Sequence, residues 1–155
     1  MTKHSHYIYL IFVSVITTAS SFCGKDGDII HIKSNNEMTK VKIKITVNTQ
    51  TFTATLLDNN TAKAFREMLP LKIKMIELNG NEKYCDLQKS LPTNPSNPKT
   101  IRNGDLMLYG SETLVLFYKT FSTSYSYTKL GEVDDATSLA SALGPRDTII
   151  TIELE

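Results

Sequence analysis

Residues 41–56 read VKIKITVNTQTFTATL. Val41, Ile43, Ile45 and Val47 fall on one side of a period of two, with Lys42, Lys44 and Thr46 on the other. That alternation is the pattern of a strand with one face in a core and one in water. Asn48, Thr49 and Gln50 supply a turn, and Phe52, Ala54 and Leu56 resume the same period. The stretch therefore predicts a β-hairpin and sets the class as mostly β.

Working outward, the same logic predicts further short strands. Asp58, Asn59, Asn60 and Thr61 offer N-cap oxygens, Ala62, Phe65, Met68 and Leu69 follow at helical spacing, and Pro70 ends the helix. Leu71, Ile73 and Met75 alternate with Lys72 and Lys74 as a third strand. Residues 79–103 open on an Asn79-Gly80 turn and carry Pro92, Pro95 and Pro98, so they predict a long irregular connection. Residues 105–109 and 113–119 form a second hairpin around Gly110-Ser111, with the apolar run Leu114 to Tyr118 as a central strand. Leu130 to Val133 continues the series. Asp134 and Asp135 are expected to cap a second short helix through Ala136, Leu139, Ala140 and Leu143, stopped by Gly144 and Pro145. Residues 148–154 close the set. Six or more short strands without a βαβ rhythm point to a small closed antiparallel β-barrel with two short helices capping its ends. A β-sandwich is the competing architecture.

The first residues obey other rules. Lys3, His4 and His6 precede an apolar run from Tyr7 to Ile16, and Thr17 to Ser21 are small. A basic head, a short apolar stretch and a small-residue exit predict a signal peptide over residues 1–22, too short to serve as a permanent membrane span. Cys23 and the polar run behind it resemble the acylated start of a bacterial lipoprotein, with residues 23–39 as a tether. Cleavage after Ser21 would instead release a soluble protein. Either outcome makes the protein exported, periplasmic or anchored through a lipid on Cys23, with no other membrane attachment. The folded domain is expected over residues 40–155.

Length and composition narrow the function. With 155 residues and 41% hydrophobic content, the chain suits one domain with a true core. A formal charge of +1 and the lack of a basic, aromatic-interleaved cluster exclude nucleic acid as an expected partner. His4, His6 and His31 are the only histidines, all before Lys40. The domain therefore cannot assemble a histidine-based nucleophile system or a histidine zinc site, and no cofactor or metal is implied. The two cysteines, Cys23 and Cys85, give no disulfide framework if Cys23 is acylated; a bridge between them is the alternative. Asp105, following Gly104, reads as a turn residue.

The remaining candidate site is aromatic. In Phe121-Ser122-Thr123-Ser124-Tyr125-Ser126-Tyr127, the three rings fall at odd positions and can share a face, with hydroxyls between them. Tyr109 and Tyr118 can line the same depression, since phenols suit ligands with an apolar body and a polar end. The same rings would serve equally as a plug for one end of a barrel.

The order of motifs resembles a family. Thr61-Ala62-Lys63-Ala64-Phe65-Arg66 is similar to the first helix of cyclophilins, and Gly104-Asp105-Leu106 with Tyr109, Leu116-Phe117-Tyr118, and Tyr125-Ser126-Tyr127-Thr128 with Gly131 resemble runs of bacterial cyclophilin-like domains. The resemblance covers about residues 41–155. It implies a cyclophilin-like barrel and places Phe117 and Tyr118 at a peptide pocket. It also implies peptidyl-prolyl isomerisation, yet the arginine, tryptophan and glutamine that carry that chemistry in the family are not matched: Leu71 to Ile76 hold neither Arg nor His, the chain has no Trp, and Leu114 to Leu116 replace the glutamine segment. The expectation is a binding module for a peptide or small apolar ligand with little or no catalysis, through Tyr109, Phe117, Tyr118, Phe121, Tyr125 and Tyr127. The alternative is a prolyl isomerase in which Arg66 or Arg102 replaces the missing arginine.

Overall fold

The computed structural model describes residues 40–155. The predicted signal peptide, Cys23 and the tether lie outside the described residues. Ten strands and two helices follow one another as β1 (Lys42–Val47), β2 (Gln50–Leu56), α1 (Asn60–Arg66), β3 (Leu71–Leu78), β4 (Glu82–Asp86), β5 (Thr100–Ile101), β6 (Asp105–Tyr109), β7 (Thr113–Phe117), β8 (Phe121–Ser122), β9 (Thr128–Val133), α2 (Leu139–Leu143) and β10 (Thr148–Leu154).

Eight of these strands close a barrel in the order β1-β10-β3-β4-β7-β6-β9-β2, while β5 and β8 form a separate two-stranded ribbon. All pairings are antiparallel. The sandwich alternative is thus excluded. Closure leaves none of the eight strands with an unpaired edge, which is how an all-β domain of this size avoids edge-to-edge association.

The hairpin read from residues 41–56 is present in register, with Ile45 opposite Phe52 and Ile43 opposite Ala54. Ile43, Ile45 and Val47 are fully buried in the interior with Phe65, Leu114, Leu116, Leu130, Leu139 and Ile152. Asn59 caps α1 by accepting from the Ala62 amide at 2.8 Å. Phe65 from α1 and Leu139 and Leu143 from α2 enter the same core cluster, so both helices seal the barrel.

Two local expectations are corrected. The stretch from Asn79 to Asn103 is not wholly irregular: Glu82–Asp86 is a barrel strand, joined to β3 by the Asn79-Gly80 turn, and Thr100–Ile101 pairs with Phe121–Ser122. The strand EKYCD has Lys83 on its inward side, so its alternation does not read as apolar-in and polar-out. Asp134 and Asp135 do not cap α2, which begins after Ser138. Asp134 instead bonds Lys42 and Thr55 across the β1–β2 strands, and Asp135 accepts from the Thr137 amide.

Gly131 on β9 marks where two strands come unusually close. A Cβ at this position would collide with the carbonyl oxygen of Thr55 and press on Leu56. Only a residue without a side chain permits this approach.

Candidate functional site

The part of the wall formed by β6 and β7, with Tyr84 of β4 at its border, is covered on both sides, which is why Leu114 to Phe117 form one apolar run. Leu114 and Leu116 face the barrel core; Val115 and Phe117 face outward into a second cluster with Ile101, Met107 and Tyr127, packed against Tyr84 and Phe121. The material over this outer face comes from the β5–β8 ribbon and the segment up to Tyr127, which is pinned to Ser96 by reciprocal backbone bonds of 2.9 and 3.0 Å.

Beside this cluster lies a depression of about 480 Å³. Tyr84, Tyr109, Phe121, Tyr125 and Tyr127 border it, together with Leu78, Val115, Asn79, Asn81, Glu82 and the hydroxyls of Thr113, Ser122, Thr123 and Ser124. The rings are continuous. Tyr125 meets Tyr109 edge-on at 6.3 Å, Tyr109 lies 5.7 Å from Tyr127, and Tyr127 stands 5.5 Å from Phe117, which in turn lies 5.8 Å from Phe121. Tyr125 and Tyr109 are exposed, whereas Tyr127 and Phe117 are buried, so the series runs from rim to floor.

Four of the six residues expected at a site thus come together: Tyr109, Phe121, Tyr125 and Tyr127. Phe117 lies beneath them as support, fully buried. Tyr118 is placed elsewhere. It packs with the interior cluster and its hydroxyl donates to the Glu77 carboxylate at 2.8 Å. Beside it, the fully buried Lys83 ammonium bonds Glu77 Oε2 at 2.6 Å and the carbonyls of Gly144 and Arg146 at 2.9 and 2.8 Å, 5.4 Å from the Tyr118 ring centre. Burial would push the Glu77 carboxyl up, but the bonds from Lys83, Tyr118 and Gly80 outweigh it and hold the group below the usual range.

Sequence reading did not single out Tyr84, Asn81 and Glu82. They sit on β4 and its turn, inside the stretch read as irregular. The only signal for them is the alternation of Glu82 and Tyr84 about Lys83, legible once β4 is known to be a strand.

Among the described residues, Glu82 is the one charged side chain bordering the depression. Burial pushes its carboxyl up, and the neighbouring Glu77 charge adds to the effect. Burial likewise raises the Tyr127 phenol, and the Glu82 carboxylate contributes. Arg66 borders a different groove with Lys40 and Lys63, and Arg102 is not among the lining residues. Among the described residues, no group of three or more His, Cys, Asp or Glu side chains is placed to hold a metal ion. Cys85 is a free, half-buried thiol raised by burial and by Asp86, so it is a poor nucleophile.

Residues 45–155 match the model of the cyclophilin-like family. The chain belongs to that family. No curated protein matches it. Among solved structures, this cyclophilin-like domain is similar to the solution structure of a hypothetical protein from Archaeoglobus fulgidus, with a TM-score of 0.59 at 14% identity over 75% of this chain and 95% of that one. That likeness concerns the fold alone.

Proposed function

We propose that this cyclophilin-like domain is a binding module that holds a peptide or small ligand against its outer aromatic depression with little or no catalysis. The observation that carries the reading is the constellation itself: five rings and four Ser or Thr hydroxyls around one depression, with no guanidinium among the described residues that line it. Rings give apolar contact at low entropic cost, while hydroxyls and amides orient a ligand without chemistry. Isomerisation of a proline peptide needs a fixed donor that stabilises the twisted amide, and this depression offers no charged one. The basic head and apolar run of residues 3–16 further support a role in the cell envelope of a bacterium, with Cys23 as the lipid anchor.

The test is a titration of the protein with a proline-containing tetrapeptide, followed by amide NMR and by a protease-coupled isomerisation assay. Shifts confined to Tyr84, Tyr109, Tyr125 and Tyr127 without turnover support a binding module. Turnover that is lost in Tyr109→Ala would make the protein an isomerase instead. Mass measurement of the N-terminal peptide from cells checks the acyl group on Cys23.

A further inference from the structure

Glu82 is poorly accounted for by folding alone. It extends from β4 beside the turn, opposite Phe117 on β7 and Leu78 on β3, so its strand neighbours on the outer face are apolar. Among the described residues it has no ion-pair partner and no side-chain hydrogen bond. The lysine next to it, Lys83, points to the other side of the wall, where Glu77 and two carbonyls use its ammonium. Asn81 lines the same depression, and its Oδ1 is buried without a hydrogen-bond partner. Among the described residues, an unpaired carboxylate, the Asn81 amide and five aromatic rings therefore border one space whose lining includes no lysine or arginine.

We infer that the depression recognises an organic cation bearing N–H donors, an ammonium or guanidinium group carried on an apolar stem, with Glu82 as its counter-ion and the rings around Tyr109 and Tyr127 as its walls. The chemistry is complementary at each point. A cation is attracted to aromatic rings through their quadrupole, and that attraction offsets part of what the ion loses on leaving water. A half-buried carboxylate in a medium of lowered dielectric gains more from an arriving positive charge than an exposed one does. The donors of an ammonium or guanidinium can bond the Glu82 carboxylate, which a quaternary ammonium could not do. The apolar stem is served by Leu78, Val115 and Phe121. A peptide side chain and a free amine share this chemistry. The inference rests on the proposal that the aromatic depression is the binding site, and names the class of ligand it takes.

Two matched pairs of probes separate the possibilities, titrated into the full-length protein at neutral pH with amide NMR as the readout. Benzylammonium against benzyl alcohol tests a free amine; acetyl-Phe-Lys-amide against acetyl-Phe-norleucine-amide tests a peptide side chain. The charged member of at least one pair should bind about tenfold more tightly than its neutral partner, and the pair with the larger preference identifies the source. Glu82→Gln should erase that preference while leaving the neutral probe's affinity within about twofold. Ser124→Lys, which adds a competing charge at the exposed rim without altering Glu82, should erase it too and guards against a folding defect in Glu82→Gln. Equal binding of charged and neutral probes, with shifts at Tyr109, Tyr125 and Tyr127, overturns the cation inference and leaves the aromatic site standing. The absence of shifts with all four probes overturns both.

Discussion

The Phe117 and Tyr127 rings meet at right angles, with centroids 5.5 Å apart, across the gap between the barrel wall and the segment that covers it. Phe117 belongs to β7 and is fully buried; Tyr127 lies just before β9 and faces the depression. The contact transmits the order of the barrel to the site. Edge-to-face pairs contribute about 0.5–1.5 kcal/mol beyond the area they bury.

Phe117→Ala should therefore do two things at once. It should lower the unfolding free energy by about 3–5 kcal/mol, the usual cost of removing a buried phenylalanine. It should also free Tyr127 and Phe121, whose rings both rest on it. Urea denaturation checks the first effect, and faster amide exchange over residues 121–127 checks the second. Unchanged exchange there would show that the backbone bonds of the β5–β8 ribbon and of Ser96 with Tyr127 hold the segment without the ring.

Lys83 carries a different prediction. Its three ammonium protons are matched to Glu77, Gly144 and Arg146, so it ties the β3–β4 hairpin to the loop leading into β10. Lys83→Met leaves the partly exposed Glu77 carboxylate without its cation, although Tyr118 and the Gly80 amide still bond it. It should therefore lower stability in urea denaturation by less than the roughly 3–5 kcal/mol that stranding a fully buried charge costs. Adding Glu77→Gln to that variant should recover part of the loss, because the stranded charge is then gone. A double variant no more stable than Lys83→Met would mean that the two carbonyl bonds dominate.

Much of this was legible beforehand, and the misses have physical causes. The barrel's first hairpin, α1 and its cap, and the double-sided burial of β7 follow from periodicity, because each buries its face in the way its sequence alternates. Strand β4 did not, since EKYCD places a lysine inside and a tyrosine outside, the reverse of a simple amphipathic strand. Hiding β4 hid Glu82, Asn81 and Tyr84 with it. The aromatic rim was visible in the odd spacing of Phe121, Tyr125 and Tyr127. Tyr118, just past the end of β7, could not be separated from Phe117 without knowing that successive residues there face opposite sides of the wall.

Gly131→Ala tests the closure of the barrel. The added methyl would push against the Thr55 carbonyl at the β2–β9 pairing. Overpacking of this kind typically costs about 1–3 kcal/mol. A lower urea midpoint with accelerated amide exchange at Leu57, whose amide bonds the Leu130 carbonyl, is the expected result. Wild-type stability would show that the strands can part without penalty.

Glu77 and Glu82 should respond to acid with opposite signs. The Glu77 carboxyl is held below its ordinary value of 4.5 in the fold, despite burial, by Lys83, Tyr118 and Gly80. Its contribution to stability is present above the unfolded value and fades as the pH falls through the folded one. Glu82 is raised, by burial and then by Glu77, so its protonated form favours folding: that contribution is present below 4.5 and is lost as the pH rises through the folded value. Glu77→Gln should therefore be less stable than wild type at pH 7, with the gap narrowing toward about pH 3. Glu82→Gln should be more stable than wild type at pH 7, and that gain should likewise vanish in acid. Urea midpoints of the three proteins at both pH values decide it, and a Glu82→Gln variant that is less stable at neutral pH would mean that the carboxylate has a partner within the fold after all.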